Sequence, residues 1–322
     1  MNILFIGKYP PIEGGTASTA FWRNNALKNY NIKFEIVTCI LNQSEYLIPC
    51  NDINEKVHII SEKMPWHIPY SQLYSEQLIS KALGIAENSE FDAVEGLYLF
   101  PYGFAAYVVA KILRKPLILR HAGSDLYRIT LTHQLDDILM KMASEASAIV
   151  TYEDCENKWK LINSKAKLYL SERYVPNPAK FYFDDLKNRR NVVFLGKITE
   201  KWSRKQFDYY ISKLKEYGYK GVIKVYSNNY TVVEFKNYFE NHGFSVLPHS
   251  FVMPQEVPDI LRDAKYVLLS EVPSGIPEES NLFSEAVACG CKVICSNKHR
   301  LPRITYNEYI KQQIQIYEEA VK

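Results

Sequence analysis

The stretch NILFIGKYPPIEGGTAST, residues 2–19, carries three signals in eighteen positions. ILFI (3–6) is a short apolar run of the kind that forms a strand buried on both faces, and Gly7 ends it. KYPPIEGG follows with two prolines and the pair Gly14-Gly15, a loop rather than an element. TASTAFWRNNALKNY then has helical period, with Thr16 or Ser18 as the cap. Strand, open loop and helix in that order begin an α/β unit. Taken alone, the glycines fit either a surface turn or a loop that brings backbone close to a ligand.

The same order recurs along the chain. FEIVTCI (34–40), KVHIISE (56–62), FDAVEGLYL, PLIL and the segment 147–151 read as further strands. SQLYSEQLISKALGIAENS, GFAAYVVAKILRK (103–115), HQLDDILMKM and ENKWKLI are the helices between them, and RHAGSD leaves its strand as a loop. KLYLSERYVPNPAKF gives one more strand and a proline-rich exit. The polar run YFDDLKNRR (182–190) reads as a linker. A second series follows: NVVFLGKI, GVIKVYS, FSVLPHSFV, KYVLLSEV and KVICSN as strands, with helices between them and a helical tail, NEYIKQQIQIYEEAVK. Short apolar strands alternating with helices predict two parallel sheets covered on both faces, that is, an α/β chain of two Rossmann-like domains. Ligands of open α/β sheets bind outside the carboxyl ends of the strands, so the predicted site lies in the cleft between the domains.

Composition narrows the function classes. With 39 basic and 36 acidic residues the net charge is +3, too balanced to argue for nucleic-acid binding. The six cysteines, at 39, 50, 155, 289, 291 and 295, form no CxxC pair and read as reduced, mostly buried thiols of a cytoplasmic protein. No apolar run reaches the roughly eighteen residues of a membrane span, and MNILFIGKYPP reads as a first strand rather than a signal peptide.

Four loops are expected at the cleft: KYPPIEGGTAST, RHAGSD (120–125), FLGKITEKWSRKQ (194–206) and SEVPSGIPEESNLFSEAVACG (270–290). With them the chain resembles the nucleotide-sugar glycosyltransferases of the GT-B fold, in particular the retaining group 1, or family 4, type. PPIEGG resembles the family's Gly-Gly loop, and HAGSD its histidine loop. YVPNPAKF matches the segment before the linker, FLGKI with a downstream lysine the diphosphate segment, and PEESNLFSEAVACGCKVI the helix bearing the spaced glutamates.

The resemblance implies a domain plan and a set of roles. Residues 1–183 would form the acceptor-side domain, 184–190 the linker, 191–305 the nucleotide-sugar domain and 306–322 a C-terminal helix, whose crossing back to the first domain stays open. Glu285 would bind the donor's ribose hydroxyls, for which a carboxylate that accepts two hydrogen bonds is suited; its other reading is a charge partner near a helix N-terminus. The family's second glutamate falls at Pro277, so Glu278 or Glu279 would reach the sugar through a shifted loop. Asn281 and Leu282 would offer backbone amides at a helix start. Lys197 and Lys205 would hold the diphosphate, with Lys201 and Arg204 as competitors. His121 would lie by the transferred sugar, and Arg120 and Asp125 on the acceptor side, where Asp125 could equally hold loop geometry. Gly14 and Gly15 would form the first domain's wall of the donor site.

The implied reaction is sugar transfer from a nucleoside-diphosphate sugar to a hydroxyl with retained anomeric configuration, in glycan or cell-envelope biosynthesis. No cofactor or metal is expected, since no Asp-x-Asp motif is found and LDD (135–137) falls inside a helical pattern. The acceptor would be a glycan, a lipid-linked molecule or a small molecule. A peripheral contact with the inner face of a membrane stays open, from the basic AKILRKP and the aromatic EKMPWHIPYSQLY (62–74). A dinucleotide dehydrogenase is set aside because the first loop lacks Gly-x-Gly-x-x-Gly. An epimerase or phosphorylase on the same architecture, or a non-catalytic nucleotide-sugar binder, remain as rivals.

Overall fold

The computed structural model describes residues 1–12, 14–38, 56–59, 70–185, 189–196, 204–227, 232–269, 280–296 and 298–322. Its first sheet is built from β1 (Asn2–Gly7), β2 (Lys33–Thr38), β3 (Val57–Ile59), β4 (Ala93–Leu97), β5 (Leu117–Arg120), β6 (Ala148–Thr151) and β7 (Leu168–Leu170). The spatial order is β3-β2-β1-β4-β5-β6-β7, and each pairing is parallel. The apolar runs explain this order. Ile3, Leu4, Phe5 and Ile6 are all fully buried because side chains on both faces of β1 meet helices.

One face of the sheet is covered by α2 (Tyr70–Ala86), α3 (Phe104–Leu113), α4 (Ser124–Thr132), α5 (Asp136–Glu145) and α6 (Glu153–Ile162). The other face is covered by α1 (Gly15–Lys28) and by α11 (Tyr306–Ala320), which follows the second domain in sequence. The C-terminal helix therefore crosses back. Thr305 and Glu308 fix its start as a capping box, each bonding the other's backbone N–H. Tyr309, Ile310, Ile316 and Tyr317 complete the apolar layer over β1, β2 and β4.

A polar knot lies under that layer. Glu95 of β4 is fully buried and accepts from Arg23 of α1 at 2.6 Å and faces Arg120 Nε of β5 at 2.9 Å. The Tyr317 hydroxyl donates to its other oxygen. A buried carboxylate is tolerable only when paired in this way, and removing one partner is costly.

The second sheet contains β8 (Asn191–Leu195), β9 (Val222–Tyr226), β10 (Ser245–His249), β11 (Ala264–Leu268) and β12 (Lys292–Ile294), all parallel in the order β10-β9-β8-β11-β12. Its helices are α7 (Arg204–Glu216), α8 (Val232–Glu240), α9 (Val257–Asp263) and α10 (Asn281–Ala288). The architecture is the expected pair of parallel α/β domains. One helix departs from expectation: the sequence reading ends the RHAGSD loop on Ser124 and Asp125 and gives residues 126–132 no element, and together they form α4. No residue caps its N-terminus in the ordinary way, and Gly123 stands there with a φ of 90°. Instead Asp125 in its first turn accepts from Leu99 N at 2.8 Å and Ala122 N at 2.9 Å.

Candidate functional site

The loop after β1 and the first turn of α10 meet across the cleft. Between them is a cavity of about 200 Å³. Ile12, Gly14, Gly15 and Ser18 form its N-terminal wall. Leu195, Gly196, Phe251, Val252, Leu269, Asn281, Leu282 and Glu285 form the opposite side.

The two glycines differ. Gly14 precedes α1 with φ 119° and ψ 163°, a conformation that L side chains rarely adopt. Gly15 has no such requirement. A Cβ on it would lie 3.5 Å from the Asn281 amide nitrogen, in ordinary contact. Asn281 Nδ2 donates to Gly15 O at 2.9 Å and to Thr19 Oγ1 at 2.6 Å.

Ser280 starts α10 by accepting from Phe283 N at 3.3 Å, which directs the helix N-terminus at the cavity. One turn in, Glu285 is 4% exposed and lines the cavity, and its Oε1 has no hydrogen-bond partner. Burial pushes its pKa up to about 8, against the neighbouring Tyr174 hydroxyl, which acts to lower it. A buried carboxyl with an open acceptor at a cavity wall is suited to a ligand that brings hydroxyl donors.

His121 follows β5 but is fully buried within the first domain. Gly123 N points at its Nδ1 at 3.1 Å, Trp159 Nε1 points at Nε2 at 3.1 Å, and Thr151 Oγ1 lies 2.9 Å from Nε2. Burial, aided by Arg173, lowers its pKa to about 3, so the imidazole is neutral. The neutral ring accepts at one nitrogen only, so the Gly123 and Trp159 contacts belong to alternative tautomers. Arg120 is tied to Glu95, and burial that would discharge it is more than offset by Glu95 and the surrounding tyrosines, which raise its pKa. Asp125 spends both oxygens on backbone amides, the loop-holding alternative of the sequence reading.

The sequence-derived residues whose side chains are described thus fall into two groups. Gly14, Gly15, Asn281, Leu282 and Glu285 come together at the cavity. Arg120, His121 and Asp125 sit together in the first domain's interior and do not line it. Lys197, Lys201, Glu278 and Glu279 lie outside the described residues, as do the side chains of Arg204 and Lys205 in the first turn of α7. Three contributors were missed by sequence reading. Phe251 and Val252 follow β10, whose carboxyl end obeys the same rule as the four chosen loops. Tyr174 carried no signal beyond its place beside the proline-rich exit.

No family model matches the sequence, and no curated protein does either. Solved structures do match over nearly all of the chain. Sucrose-phosphate synthase from Thermosynechococcus elongatus aligns with a TM-score of 0.61 at 12% identity, covering 99% of this chain and 90% of that one. The Anabaena protein HepE in complex with UDP-glucose aligns with a TM-score of 0.55 at 13% identity, covering 100% and 92%. The UDP-GlcNAc 2-epimerase from Methanocaldococcus jannaschii aligns with a TM-score of 0.55 at 14% identity, covering 99% and 92%. At such identities the likeness concerns the fold. The chain has the GT-B fold, two parallel α/β domains facing across a cleft.

Proposed function

We propose that this chain is a retaining glycosyltransferase that moves a sugar from a nucleoside-diphosphate sugar to a hydroxyl acceptor. The observation that carries the reading is Glu285, buried at the cavity wall with one oxygen unpartnered. Ribose hydroxyls supply the missing donors. Supporting it, structures of this fold include one with UDP-glucose bound.

In the proposed reaction the acceptor hydroxyl attacks the anomeric carbon on the face from which the diphosphate leaves. The bond to the diphosphate breaks, its electron pair stays with the leaving group, and the acceptor's hydroxyl proton passes to the departing diphosphate oxygen on the same face. The start of α10, together with Lys197 and Lys205, offsets that charge in place of a metal. Glu285 accepts the ribose hydroxyls once ionised, so donor binding near neutral pH releases a proton. The proposed setting is glycan or cell-envelope biosynthesis on the cytoplasmic side. No helix among the described residues is long and apolar enough to cross a membrane.

A panel of UDP-, GDP- and ADP-sugars in a thermal-shift assay, with Glu285→Ala as control, tests the donor site. The reading expects selective stabilisation by one nucleotide that the variant loses; uniform indifference to all of them refutes it. A second reading, a nucleotide-sugar binder without turnover, is favoured by the enclosure of His121. Acceptor-dependent release of free nucleotide separates the two, and interconversion of the donor sugar without an acceptor would indicate an epimerase.

A further inference from the structure

The contact between Asn281 and the first turn of α1 joins the domains at the rim of the cavity. Asn281 Nδ2 reaches Gly15 O at 2.9 Å and Thr19 Oγ1 at 2.6 Å, and Thr19 Oγ1 itself donates to Gly15 O at 2.9 Å. These three bonds use each hydrogen once. The assignment of the amide is forced: its oxygen in that place would face a carbonyl and a hydroxyl whose hydrogen is already committed. The back-bond from Thr19 to its own helix holds the hydroxyl in position before Asn281 arrives. On the next turn Trp22 meets Phe181 edge-on at 5.4 Å, and Phe181 packs with Val193, Val257 and Leu261 of the second domain, so the contact between the two domains' layers extends beyond Asn281.

Asn281 starts the helix that carries Glu285, and Gly15 is part of the opposite cavity wall. Separating the two walls breaks both bonds of Asn281 together. We infer that Asn281 and Thr19 form a latch that holds the cleft closed and gates ligand exchange, with Thr19 as a positioning residue outside the cavity lining. The inference rests on the proposed nucleotide site only for its ligand arm. The latch itself forms within the chain, without a ligand.

Thr19→Val keeps the shape of the side chain and removes the hydroxyl, whereas Thr19→Ser restores it. Small-angle scattering of the ligand-free full chain should show a broader distribution of interdomain distances for Thr19→Val and the wild-type distribution for Thr19→Ser. Identical curves for all three proteins overturn the latch. With UDP as probe, its release measured by stopped flow should be about three- to tenfold faster in Thr19→Val and return to the wild-type rate in Thr19→Ser. Unchanged release overturns the gating. If UDP binds none of the three, the proposed nucleotide site fails, while the scattering arm still decides the latch.

Discussion

His121 and Glu285 are both buried ionisable groups, and burial drives both to their neutral forms. Their surroundings differ in one respect. The imidazole finds Thr151, Trp159 and Gly123 within its own domain. The carboxyl keeps an open oxygen at a cavity shared by two domains. Burial and a shifted pKa therefore mark both positions, but only unfinished hydrogen bonding beside a cavity marks a place where a ligand is wanted.

The strongest way to break this contrast is Glu285→Ala. With UDP as the probe for the proposed donor site, it should weaken binding about 100-fold, as expected when bonds to a charged acceptor are lost, and calorimetry reads the loss directly. An equal affinity in the variant would place the carboxyl with His121 among structural groups. His121→Ala should act in the opposite register. Its loss strands one N–H donor, Trp159 or Gly123 by tautomer, and leaves a cavity, at about 2–3 kcal/mol of stability in denaturant unfolding, with binding of UDP as probe nearly unchanged. A variant of full stability that has lost turnover would make His121 catalytic after all.

Titration sharpens the comparison. Glu285 has its ordinary carboxyl pKa of 4.5 when unfolded and about 8 when folded. The folded protein thus holds the proton more tightly. The stability linked to it is complete below the unfolded value and is lost as pH rises through 8. Glu285→Gln should remove that loss, a gain of roughly 1–3 kcal/mol over wild type at alkaline pH, seen in melting temperatures measured across pH. UDP affinity of the wild type should rise toward pH 8 and level off above it. The smallest effect concerns the glycines. Gly14→Ala forces an L side chain to φ 119° and should cost about 1–2 kcal/mol, whereas Gly15→Ala, with ordinary φ and room beside Asn281, should cost only a few tenths.

Sequence reading reached the strands readily, because four or five apolar residues bounded by glycine, proline or polar residues leave little alternative. It missed α4 because SDLYRITLT is rich in β-branched residues of modest helix propensity and lacks a local cap. The bonds that fix its start come from Asp125 to Leu99, 26 residues away. Glu285 was legible through its place in a helix of familiar pattern. The role of the Asn281 side chain was not, since its partners lie 266 and 262 residues away in sequence. The enclosure of His121 depends likewise on Thr151 and Trp159, which no spacing rule connects to it.

The return of α11 to the first sheet has a consequence for assembly during translation. Glu95, Arg23 and Arg120 are all in place once the first 120 residues have left the ribosome, but Tyr317 and the apolar cover over β1 and β2 arrive only after the entire second domain. Until then the first domain has one finished face and one covered by α1 alone. The domain that is made first is thus the one completed last, when α11 docks on its sheet.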